Sequence, residues 1–129
     1  MTDHAYRGTP YCVKQCRHAI LLGMELTMRE TVSRRVHALR TDRGWSQAQV
    51  VARCARAGAD WLSAYVYGQI ERGTRQTVGV SDVLALALAF GVTPADLLAD
   101  GDSIQVTDMV TVTPAQMRSW LAGEALPAA

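Results

Sequence analysis

The chain has 129 residues, a formal net charge of +1 and 49% hydrophobic residues, enough for one domain with a core that needs no disulfide or metal staple. Its 19% charged and 6% aromatic content excludes a wholly disordered chain, and no apolar run approaches the roughly 18 residues of a membrane span. The near-zero charge does not exclude nucleic acid, because it is partitioned: residues 29–75 carry nine Arg against Glu30, Asp42, Asp60 and Glu71, a balance of +5, and residues 76–129 carry Arg118 against six acidic residues, a balance of −5.

Residues 1–26 read as an N-terminal extension. Gly8, Thr9 and Pro10 break structure, and Val13, Ala19, Ile20, Leu22 and Leu26 give residues 11–26 a loose apolar face. That face suits either a short helix or a partly disordered segment. Met24 and Met28 are two further candidate starts. Cys12 and Cys16, with His18 and His4 nearby, offer one ligand cluster where structural zinc sites favour two, so no metal is expected. Three Cys without a secretory leader point to free thiols in a reducing cytoplasm.

Residues 27–100 carry the clearest pattern. Thr27-Met28-Arg29-Glu30 is a capping-box sequence, and Val32, Val36 and Leu39 continue a helix that Gly44 ends. Ser46 caps a second helix, striped by Val50, Val51 and Cys54 and running to about residue 57. After the Gly58-Ala59-Asp60 break, Ser63 caps a third, with Val66, Tyr67 and Ile70 at helical spacing and Gly73 as its stop. Tyr67 and Ile70 are assigned to the core. Ser81 is the expected cap of a fourth helix over residues 82–90, with Leu84, Ala85 and Leu88 inward. Thr93-Pro94 opens a fifth, which ends by residues 100–101.

Residues 101–129 change texture. Ile104, Val106, Val110 and Val112 alternate with polar residues as one strand, or as two around a turn at Asp108-Met109. The exposed edge of such a strand requires a partner. Thr113-Pro114 opens a last helix bearing Met117, Trp120 and Leu121. This tail suits either packing or protein contact, a homodimer included. The fold class is therefore all-α, a five-helix domain with a short C-terminal strand-helix tail.

Three blocks, in order, resemble one family. Residues 35–51 (with Gly44, Trp45, Ser46 and Gln47), Gln69-Ile70-Glu71-Arg72-Gly73, and residues 84–98 resemble the first two helices, the end of the recognition helix, and the fourth and fifth helices of the Cro/cI-type (XRE, lambda-repressor-like) helix-turn-helix family. The resemblance implies a duplex DNA operator as partner and a transcriptional regulator, most readily a repressor such as a phage immunity repressor. An antitoxin of the same fold, binding a toxin and its own promoter, is the alternative. A fold-sharing interaction protein that does not bind DNA is a third reading.

The resemblance also implies roles. Ser46 and Gln47 lie where a helix N-terminus meets a phosphate. Ser63, Ala64 and Tyr65 occupy the groove-facing first turn of the third helix, and Gln69 matches a base-reading position, where Gln suits adenine. Tyr65 suits a thymine methyl, a phosphate or a neighbouring loop. Arg72, Thr74 and Arg75 form the phosphate-gripping loop, with Arg43 and Arg53 as candidate additions. Arg40 and Glu71 are expected to pair as a structural brace between the first and third helices. About six extra residues around residues 55–62 depart from the family's tight turn, leave the register of Ser63, Ala64 and Tyr65 open, and assign Trp61 to the core. With no Gly-rich phosphate loop, no HExxH and no Ser-His-acid arrangement, neither catalysis nor a cofactor is expected.

Overall fold

The computed structural model describes residues 23–126 and the backbone of Tyr11–Val13. The chain divides into two units, one of Arg29–Leu97 and one built from the two ends, Met1–Met28 with Leu98–Ala129.

The helical unit uses five helices: α1 (Met28–Asp42), α2 (Gln47–Arg56), α3 (Ala64–Arg72), α4 (Val80–Phe90) and α5 (Pro94–Leu98). Local chemistry sets most of their ends. The Ser46 hydroxyl accepts from the Gln49 backbone N–H at 3.1 Å, and the Gln49 side chain accepts from the Ser46 N–H at 2.7 Å. This reciprocal box satisfies two otherwise orphaned donors at the start of α2. Ser63 accepts from Val66 N–H at 3.2 Å to start α3, and Gly73 ends it at φ 74°, a left-handed turn that costs glycine no Cβ clash.

The start and inward face of α4 differ from expectation. The helix begins at Val80, and Gly79 rather than Ser81 is its N-cap. The Asp82 carboxylate accepts the Gly79 N–H at 2.8 Å, so an acid in the first turn reaches back to the backbone of the cap, and Gly79 has no side chain to cap the helix N–H groups in return. Val83, Leu86, Ala87 and Phe90 are buried together with Ala85, whereas Leu84 and Leu88 face out, Leu88 at 70% exposure. The alternation of Leu and Ala in this helix offers two stripes at helical spacing, and the packing of α4 on α2 selects the one through Leu86.

Val36, Val50, Cys54, Tyr67, Ile70, Leu86 and Leu97 are sealed in this unit. The longer α2–α3 connection is held by Ala59 and Leu62, each 1% exposed. Trp61, assigned to the core from sequence, is 51% exposed, and its indole N–H donates to Asp82 Oδ1 at 2.7 Å. Leu62 is the plug because it directly precedes the Ser63 cap, five residues before the buried Tyr67 on the first turns of α3, the spacing of a hydrophobic staple.

The second unit is a four-stranded sheet with a helix, α6 (Pro114–Leu121). Its strands are β1 (Tyr11–Val13), β2 (Glu25–Thr27), β3 (Ser103–Gln105) and β4 (Val110–Val112), in the order β1-β4-β3-β2. β4 pairs antiparallel with both β1 and β3, and β2 pairs parallel with β3, Leu26 opposite Ile104. The Val-rich tail is thus two strands, and both flanks of that hairpin are filled from within the chain. Where the sequence suited either a short helix or a partly disordered segment, Tyr11–Val13 and Glu25–Thr27 are strands, and residues 14–22 lie outside the described residues. The cause is non-local: Met24 N–H donates to Asp102 Oδ2 at 2.7 Å, 78 positions away. Ala99, Ile104, Val112 and Met117 form the unit's core. Trp120 and Leu121 remain largely exposed. His4, Cys16, His18 and the Cys12 side chain, the cluster weighed for zinc, lie outside the described residues.

Candidate nucleic-acid interface

α2, the 57–63 connection and α3 form the helix-turn-helix. Ser46 stands before α2, and Gln47 is its first helical residue, half-buried. The first-turn N–H groups of α2 are at the positive end of its dipole. Ser63 is the cap of α3, and Ala64 and Tyr65 are its first two helical residues. All three are exposed, Tyr65 at 70%, and the connection before them is anchored by the buried Ala59 and Leu62.

Gln69 sits one turn beyond Tyr65 and is tied on both sides. Its Nε2 donates to the Tyr65 hydroxyl at 3.1 Å. Its Oε1 accepts from Arg75 Nη1 at 2.8 Å. The helical spacing of Tyr65 and Gln69 is readable from sequence, but the return of Arg75 onto Gln69 requires the turn at Gly73. Thr74 closes that turn: its N–H and its hydroxyl both meet the Gln69 carbonyl, at 3.0 and 3.4 Å.

The basic residues divide into two groups. Arg72 is exposed, and its guanidinium lies back over Gly68, where an added Cβ would come within 3.1 Å of Arg72 Nη1. Arg29, which the sequence did not single out, donates from Nη1 to the Arg75 carbonyl at 3.3 Å. Arg29, Arg72 and Arg75 therefore gather at the C-terminal end of α3. Arg43 and Arg53 are placed otherwise. Arg53 lies 3.9 Å above the Trp45 ring and Arg43 5.4 Å from it, and Trp45 stacks on Phe90 with centroids 5.7 Å apart. Their guanidinium faces are used on aromatic rings.

Behind the interface, Arg40 donates to Glu71 from Nε at 2.8 Å and from Nη2 at 2.7 Å. Its remaining Nη1 donates to the Trp45 carbonyl at 2.9 Å. One side chain thereby joins α1, the entry to α2, and α3. His37, three residues before Arg40 on the same face of α1, meets Glu71 Oε2 through Nδ1 at 2.9 Å, and the Ser33 hydroxyl donates to the Glu71 carbonyl. The i, i+3 spacing of His37 and Arg40 was the available sequence signal for this third member.

Burial alone would raise the Glu71 carboxyl, but the hydrogen bonds from Arg40 and His37 outweigh it and hold it at about 2, below its ordinary 4.5. Burial pushes the neighbouring Tyr67 phenol up, and the Glu71 carboxylate adds to that rise. A depressed folded-state value stabilises the fold above the ordinary value and loses that contribution as pH falls through the folded one. The melting temperature is expected to fall progressively from pH 4.5 toward pH 2, and Glu71→Gln should remove this part of the slope in a pH series of thermal melts. A slope unchanged by the substitution would assign acid sensitivity to other carboxylates.

No helix among the described residues is long and apolar enough to cross a membrane, and no cluster of His, Cys, Asp or Glu among them suits a metal ion. Residues 32–99 match the model of a family described as a helix-turn-helix domain. No curated protein and no solved structure matches the chain.

Proposed function

The chain belongs to the helix-turn-helix domain family, and from that premise we propose that it is a sequence-specific regulator of transcription that binds duplex DNA as a repressor. The Cro/cI-type resemblance supports this finer reading, and the observation that carries it is the surface of α3. Ala64 and Tyr65 are exposed at the capped start of α3, Gln69 follows Tyr65 one turn on, and Arg29, Arg72 and Arg75 lie toward the C-terminal end of the helix. A recognition helix needs that combination: polar groups for base edges and cations for the phosphates that flank them.

In this reading α3 enters the major groove. Ser63, Ala64 and Tyr65 meet the groove in its first turn, and Gln69 reads adenine one turn deeper. Ser46, Gln47 and the first-turn N–H groups of α2 meet a phosphate. Arg72, Thr74 and Arg75 grip the backbone beyond the helix. The Arg40–Glu71 pair contacts no DNA and holds α3 against α1. The end-built unit, with Trp120 and Leu121 exposed, is the candidate contact for a second copy, which would place two helix-turn-helix units on a two-fold operator.

The test is selection of duplexes from a random-sequence pool by the full chain, followed by binding to the selected duplex and its single-base variants. Gln69→Ala is expected to weaken the selected site by about 10-fold and to relax preference at one base pair. Enrichment of no sequence, or a preference untouched by Gln69→Ala, would refute base reading by α3.

A further inference from the structure

Resting on the reading that Gln69 meets a base, we propose that Arg75 is a specificity-determining residue that acts by fixing the orientation of the Gln69 amide.

A glutamine amide has two faces that a rotation about its last bond exchanges. One presents an acceptor where the other presents a donor, and a solvated side chain samples both. Gln69 is not free to do so. Its Oε1 lies 2.8 Å from Arg75 Nη1, and Arg75 has only donors. Rotating the amide would turn its NH₂ group toward the guanidinium, donor against donor, and lose a charge-assisted hydrogen bond. The Tyr65 hydroxyl, 3.1 Å from Nε2, both donates and accepts, so it tolerates either orientation. The choice is therefore made by Arg75.

Arg75 is itself held. Its backbone carbonyl accepts from Arg29 Nη1 at 3.3 Å. Its Nε is closed off from solvent with no hydrogen-bond partner among the described residues. A guanidinium serving only a phosphate would keep all its donors in water until DNA arrived. Here part of the group is desolvated already, and the edge that remains engaged faces Gln69.

The oriented amide retains one acceptor site on Oε1 and one hydrogen on Nε2. Side by side, these match the N6 donor and N7 acceptor of adenine in the major groove. Guanine offers two acceptors, O6 and N7, and its O6 would face the fixed Oε1. Arg75 thus supplies discrimination of adenine against guanine at the base that Gln69 reads, without touching that base. This goes beyond a phosphate contact, which would weaken all sequences alike.

The test uses the full chain, the duplex selected from a random pool, and the same duplex with the Gln69-sensitive A·T pair changed to G·C. Arg75→Met removes the donors while keeping the length of the stem, and thermal melting confirms its fold. The expected result is that Arg75→Met lowers adenine-over-guanine preference at that pair by about 5- to 10-fold. Added to Gln69→Ala, it should change that preference no further. Arg75→Lys, which restores a donor, should regain part of it. If Arg75→Met instead weakens both duplexes equally, so that the adenine-over-guanine preference is unchanged, the inference is overturned while base reading by Gln69 stands. If Gln69→Ala itself leaves preference unchanged at every pair, the underlying reading fails as well, and the two failures are distinct. Should Arg75→Met unfold the protein, Arg75→Gln decides: its amide both donates and accepts and so tolerates either orientation of Gln69, and the inference requires the adenine-over-guanine preference to fall, an unchanged preference overturning it.

Discussion

Arg40→Met is expected to destabilise the protein by about 3 kcal/mol, a fall in melting temperature of about 10 °C for a chain of this size. The reason is the carboxylate left behind. Glu71 has a side chain only 6% exposed, and Arg40 supplies two of its hydrogen bonds. Met fills the space of the aliphatic stem, so little of the loss comes from packing. His37 remains within reach of Glu71, but its own side chain is 58% exposed and it offers one donor where Arg40 offered two. The loss also frees the Trp45 carbonyl at the entry to α2.

The double variant separates the two sources of that cost. Arg40→Met with Glu71→Leu removes the stranded charge along with its partner, and replacing both halves of a buried pair with apolar groups is often close to neutral. At least half of the lost stability should return in denaturant titrations. A double variant as unstable as the single one would mean that the bond to Trp45, not the charge on Glu71, carries the effect. Because Glu71 immediately precedes Arg72 and lies on the face of α3 opposite Gln69, the single variant should also weaken DNA binding even at temperatures where it is folded.

Raising salt from about 50 to about 200 mM should weaken binding to the selected duplex by about 40-fold for each helix-turn-helix unit engaged. Arg29, Arg72 and Arg75 bring three cations to the end of α3. Each phosphate neutralised contributes about 0.9 to the log–log slope, so three give roughly −2.7, and a fourfold rise in salt acts through that exponent. Arg43 and Arg53 are left out of this sum because their guanidinium groups lie against Trp45 and Phe90. Arg43→Gln should accordingly leave the slope unchanged, while Arg72→Gln should reduce it by about one unit. A slope near zero would be incompatible with a phosphate-gripping loop, and a drop with Arg43→Gln would put that residue on the backbone after all. Titrations monitored by fluorescence anisotropy at several salt concentrations give these slopes directly.

What could be read in the sequence was local. Ser46 and Ser63 announced two helix starts because a hydroxyl three residues before a free N–H is a complete device in itself. Gly73 announced a helix end for the same reason. The pairing of Arg40 with Glu71 followed from family resemblance rather than from any local rule. The start of α4 was missed because the device there is reversed: the acid lies inside the helix and the cap is a bare glycine. Its inward face was missed because Leu84 and Leu88 repeat as regularly as Leu86 and Phe90, and only the neighbour α2 breaks the tie. The strands at residues 11–13 and 25–27 were illegible because each makes sense only against a partner near the other end of the chain. Arg75 was read as a loop cation for want of the turn that brings it back to Gln69.

The pairing of β2 with β3 has a consequence for the order of folding. Met24 and Asp102 are 78 positions apart, and everything between them belongs mainly to the helical unit. Closing so long a loop in a loose chain is entropically unfavourable, and strand pairing returns little until the loop is closed. The helices close shorter loops, since their caps are local and the Arg40–Glu71 pair spans 31 positions. Once they form, Arg35 holds the Asp96 carbonyl at 2.7 Å, which ties α1 to α5 and shortens the effective loop. The helical unit should therefore form first and the sheet afterwards, so that a nascent chain gains its helix-turn-helix before β2 and β3 are joined.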